Sequence, residues 1–131
     1  MTREELCSVR ELQKKIRTHE QHLEALRMSA ENIVPILDGL PHATEAKSKV
    51  EKIALRIVEV ERELEDLRGR LVQSKSGLAD KIMCEVVSPE VQTLLILRYV
   101  DCCPYKEIAR RMRYALRHVF KLHERFLKSG I

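Results

Sequence analysis

Leu94-Leu95-Ile96-Leu97-Arg98-Tyr99-Val100, Tyr105-Lys106-Glu107-Ile108-Ala109-Arg110-Arg111-Met112 and Leu116-Arg117-His118-Val119-Phe120-Lys121-Leu122-His123 follow one another with only short breaks. Three short amphipathic helices in such a layout predict a helix-turn-helix unit, whose last helix lies in the major groove of duplex DNA. Sorting the helices by face gives a small core. It takes Leu94, Leu95, Leu97 and Val100 from the first helix, Ile108, Ala109 and Met112 from the second, and Val119, Leu122 and Phe126 from the third. Ala109 fits the close approach of the second and third helices. Ser88, Pro89 and Glu90 suit the N-cap and first two positions of a helix, so the unit is expected to start at 88.

Upstream, the apolar period changes to that of long paired helices. Val9, Ile16, Leu23, Ala30 and Leu37 form one heptad column, and Leu12, His19, Leu26 and Ile33 the next. In 45–87 the columns are Val50, Ile57, Leu64, Leu71 and Leu78 beside Ile53, Val60 and Leu67. Two such arms predict a coiled coil. Between them, Asp38-Gly39-Leu40-Pro41-His42 reads as a breaker and Thr44 as an N-cap followed by Glu45, while Pro35 should kink or end the first arm. Arms of similar length around a short breaker predict an antiparallel hairpin, with pairing between two chains as the competing arrangement. His19, Ser74 and Lys81 interrupt the seams, and Gly69 and Gly77 weaken the second arm. The expected fold is therefore all-α, with a long antiparallel coiled-coil hairpin over 1–87 and a helix-turn-helix domain over 88–131. A head that small has little core of its own and is expected to lean on the arm or on a second chain.

Charge separates the two parts. Residues 89–131 carry nine Lys/Arg against four Asp/Glu, while 1–88 carry 15 against 16. The net +4 of the chain thus resides in the head, which points to a polyanion there. By position on the last helix, Leu116, Arg117, His118, Phe120 and Lys121 are candidates for base readout. Arg117 is favoured, because a guanidinium pairs bidentately with guanine. Lys106, Arg110, Arg111, Arg113, Tyr114, Arg125 and Lys128 are candidates for phosphate contact.

The strings Leu97-Arg98-Tyr99-Val100-Asp101, Tyr105-Lys106-Glu107-Ile108-Ala109 and Tyr114-Ala115-Leu116-Arg117-His118-Val119-Phe120-Lys121-Leu122-His123 resemble the fourth region of bacterial sigma-70 factors. More narrowly, they resemble small phage and prophage regulators that join a coiled-coil hairpin to a sigma-like head. The resemblance implies a DNA-binding transcriptional regulator in the cytoplasm of a bacterial host. Double-stranded DNA would be its partner, with RNA polymerase contact and homodimerisation left open. It also places the family's base-reading positions on Leu116, Arg117, Phe120 and Lys121. Leu116 and Phe120 depart from the polar or basic residues common there. Ala115 replaces a capping Ser or Thr, Cys102 stands where Gly is common, and Pro104 where a capping Ser is common.

No Gly-rich phosphate loop, zinc-ligand spacing or clustered nucleophile and base is present, so no catalytic or metal residue and no cofactor is expected. The four cysteines, at 7, 84, 102 and 103, form no CxxC pair and read as thiols of a reducing cytoplasm. No membrane segment is expected. The rival reading is a protein-interaction or assembly adaptor, an RNA polymerase-binding or small-terminase-like coiled-coil module. Leu116 and Phe120 favour it, unless they meet thymine methyl groups.

Overall fold

The computed structural model of the chain describes residues 1–33 and 43–130. The fold is all-α, with no strand among the described residues. Helix α1 spans Arg3–Ile33, α2 Ala43–Glu85, α3 Pro89–Leu95, α4 Tyr105–Met112 and α5 Leu116–Gly130, and α3 runs on into a π-helical turn over Ile96–Val100. The expected breaker at Asp38–His42 and the kink at Pro35 lie outside the described residues, as do the side chains of Thr44 and Glu45. Helix α2 continues without interruption through Gly69 and Gly77.

The chain divides into two compact units, one of Met1–Gln13 with Arg70–Ile131 and one of Lys14–Gly69. In the second unit, Ile16 and Leu23 of α1 and Val60, Leu64 and Leu67 of α2 are buried, all at predicted seam positions. Ion pairs cross between these helices, with Glu20 meeting Arg68 at 3.2 Å and Arg27 meeting Glu61 at 3.1 Å. His19 interrupts the seam because its ring turns to the edge. Nδ1 donates to Lys15 O at 2.8 Å, and Nε2 lies 3.2 Å from the Glu63 carboxylate. Such exposed pairs contribute little stability.

In the first unit the seam is carried further than the heptad predicts. Leu6, Val9, Leu78, Ile82 and Val86 form one cluster with Leu95, Tyr99 and Val100. After Leu78 the buried positions step by four, to Ile82 and Val86, where a heptad would place Lys81. A helix of 3.6 residues per turn drifts off a 3.5 repeat. Lys81 is consequently exposed, and its ammonium pairs with Glu5. The end of α2 is closed by Gln92, whose Nε2 donates to Val86 O at 2.6 Å.

The core expected for the three short helices is two clusters, entered by neighbouring residues of α3 that point in different directions. Leu94 packs with Ile108, Ala109 and Val119. Its neighbour Leu95 instead joins the ends of α1 and α2, with Phe126 packed beside it. The π turn, in which Asp101 N–H donates to Ile96 O at 2.9 Å, ends α3 and carries the buried Tyr99 and Val100. Ser88 does precede α3 as its N-cap residue, with Pro89 at the first position, but the Ser88 side chain makes no capping hydrogen bond.

Candidate nucleic-acid interface

Helix α5 has a sharply divided surface. Val119 is fully buried, and Leu116, Leu122, His123 and Phe126 are partly buried on the same side. Arg117, Lys121, Glu124 and Lys128 fall on the opposite side, at spacings of three or four, and all four are exposed. The connection from α4 to α5 is set by hydrogen bonds to the last turn of α4. Tyr114 N–H donates to Ala109 O at 3.0 Å and Arg113 N–H to Arg110 O at 3.3 Å, the bond pattern of a Schellman cap. The residue that makes this turn is Arg113, at φ 59°.

A left-handed arginine is strained where glycine would not be. Arg113→Gly is therefore expected to raise stability by up to about 1 kcal/mol, read as a higher melting temperature. If Arg113 clamps a phosphate, the same variant weakens duplex binding, so stability and affinity move in opposite directions. Cys102 is the other non-glycine left-handed residue among the described residues, at φ 54°.

The predicted phosphate residues fall into two groups. Arg110 and Arg111 both reach Glu107 Oε1, at 2.7 and 3.1 Å, and the bond from Arg110, aided by Arg111, holds the Glu107 carboxyl below its ordinary range. Lys128 pairs with Glu124 at 2.9 Å. The Tyr114 hydroxyl donates to Glu90, a bond that pushes its titration upward, and must leave that carboxylate before it can meet a phosphate. Lys106, Arg113, Arg117, Lys121 and Arg125 have no ion pair among the described residues, and all five are exposed. Arg125 sits apart from the others, at the rim of an open groove of about 370 Å³ floored by Val86, Val91, Leu122 and Phe126.

The candidate base readers are also separated. Arg117 and Lys121 are exposed and have no ion pair among the described residues. His118 is exposed but rests edge-on against Tyr114, with ring centroids 4.7 Å apart. Leu116 packs partly against the Leu94–Ile108–Val119 cluster. Phe120 is 46% exposed.

Sequence reasoning missed an aromatic chain beneath this surface. Phe120 lies edge-on to Tyr105 at 5.0 Å, Tyr105 to His123 at 5.7 Å, and His123 stacks on Tyr99 at 5.7 Å. The Arg98 guanidinium lies 4.0 Å above the Tyr105 ring and donates to Cys103 O at 3.2 Å, while its buried Nε has no partner among the described residues. Only the spacing of Phe120 and His123, three apart on one helix, hinted at this chain. The Tyr99 hydroxyl and His123 Nε2 share a hydrogen bond. Burial pushes Tyr99 up to about 12 and His123 below its ordinary value, so both are neutral near pH 7.

A histidine with a depressed folded pKa is matched in protonation by the unfolded chain only above about 6.5. Below that value the unfolded chain binds the extra proton. Stability is therefore full above pH 6.5 and falls as pH drops toward the folded pKa of His123. Melting curves between pH 7.5 and 5 are expected to show this loss. In His123→Gln the decline should be smaller, and an equal decline would remove His123 as its source.

Comparison with family models, curated proteins and solved structures finds no match. The reading of the site thus rests on its own chemistry. Among the described residues no group of three His, Cys, Asp or Glu side chains could hold a metal ion, and no helix is long and apolar enough to cross a membrane. All four cysteines are free, and burial raises the Cys102 thiol. What the arrangement offers is an outward helix face whose cations Arg117 and Lys121 are unpaired among the described residues, beside the exposed Phe120 ring.

Proposed function

We propose that this chain is a sequence-specific duplex-DNA-binding transcription regulator of the phage or prophage type. In this reading α3, α4 and α5 form a sigma region 4-like helix-turn-helix, and α1 and α2 form a coiled-coil hairpin. The observation that carries the reading is the set of five exposed cations on and around α4 and α5 that have no ion pair among the described residues. Isolated surface lysines and arginines are ordinary. Five unpaired among the described residues, three of them (Arg113, Arg117 and Lys121) at the turn and on the front of one helix, suit a polyanion. Arg117 and Lys121 stand on the first turns of α5, where a recognition helix presents side chains to base edges. In this reading the exposed Lys106, Arg113 and Arg125 hold phosphates.

The adaptor reading is supported by the exposed Phe120 and by the apolar groove beside Arg125, which could seat a protein segment. RNA polymerase is a natural occupant in the sigma-like reading, and a second copy of the chain would give two DNA half-sites about one helical turn apart.

Salt titration separates the two readings. With about five phosphate contacts, log affinity for a duplex should fall against log salt with a slope of roughly −4 to −5. A near-zero slope would leave the cations without a phosphate partner and would favour the adaptor.

A further inference from the structure

Phe120 is the one large apolar side chain exposed on the front of α5, and its surroundings are cationic. Arg117 precedes it by three residues and Lys121 follows it, both exposed and unpaired among the described residues. Its inner edge is fixed against Tyr105, which is itself pressed between Phe120, His123 and the Arg98 guanidinium. The ring is therefore held in place from below and open on its outer side. Leu116, the other apolar residue among the candidate readers, is partly consumed by the Leu94–Ile108–Val119 packing. An apolar protein partner covering Phe120 would have to bury Arg117 and Lys121 beside it, at a desolvation cost. A DNA duplex supplies phosphates for those cations and, in the major groove, one apolar group for the ring, the thymine C5-methyl.

We propose that Phe120 reads the methyl group of a thymine next to the base engaged by Arg117, which makes a methylated pyrimidine part of the required site. The inference rests on the duplex-DNA reading above and adds the chemical feature that the site must present.

The test replaces each thymine of a selected duplex in turn with deoxyuridine, which keeps every hydrogen bond and loses only the methyl. At one position, binding should weaken about fourfold, the factor supplied by burying one methyl-sized group. Phe120→Ala should still bind the duplex but treat thymine and uracil alike at that position. Phe120→Leu, which keeps an apolar reach, should retain part of the preference. If every thymine tolerates uracil, or if the alanine variant keeps the discrimination, the proposal is overturned while the DNA reading stands. A chain that selects no duplex motif at all overturns both.

Discussion

Leu94→Ala is expected to cost about 3 kcal/mol of stability, lowering the melting temperature by on the order of 10 °C. The reason lies in where Leu94 sits. It is fully buried and packs against Ile108, Ala109 and Val119, one or two residues from each of α4 and α5. Truncation removes three carbons from the centre of a cluster ringed by Leu97, Tyr105, Met112, Leu116 and Leu122, and leaves a void among them. Against a total stability of roughly 5–15 kcal/mol, that is a large fraction. The other face of α3 would be spared, because Leu95 belongs to the cluster with Leu6, Val9, Leu78, Ile82 and Val86. Duplex binding should weaken along with the melting temperature, since α5 is positioned by this cluster. A loss below 1 kcal/mol by denaturant titration would mean that the three short helices do not pack as described.

Arg117→Ala is expected to reduce discrimination between the preferred duplex and one altered at its contacted guanine by roughly ten- to hundredfold, the range that a bidentate guanidinium–guanine pair supplies. Arg125→Ala should instead weaken binding to all sequences by a similar factor and make the salt slope shallower by about 1. The two arginines are two helical turns apart. Arg117 stands on the first turn of α5, facing away from Val119, and Arg125 lies at the rim of the Val86–Phe126 groove. Competition binding against specific and altered duplexes reads both effects. Equal consequences from both substitutions would remove the division into a base reader and a phosphate clamp.

Periodicity made the long helices readable. Val9, Ile16, Leu23, Val60, Leu64, Leu67 and Leu78 are buried where the heptad columns place them, because side-chain direction on a helix depends on spacing alone. The step to Ile82 in place of Lys81 was not readable, since it arises where α2 meets the short helices and the pairing partner changes. The split of Leu94 from Leu95 was hidden for a related reason. A run of consecutive apolar residues does not say which neighbour each will face. The π turn at Ile96–Val100 and the left-handed Arg113 leave no mark in composition, because neither glycine nor proline was used to make them. At the candidate site, the outward placement of Arg117 and Lys121 follows from helical spacing. The engagement of Arg110 and Arg111 by Glu107 was also open to that reasoning, at spacings of three and four. The buttressing of Phe120 by Tyr105 joins separate helices and required the fold.

Selection of random duplexes with the purified chain tests the outward face of α5 most directly. An enriched motif is expected, containing a guanine whose preference disappears in Arg117→Ala and bound with steep salt dependence. Recovery of no motif, or of one unchanged by Arg117→Ala and Lys121→Ala together, would contradict the assignment of this face to sequence recognition.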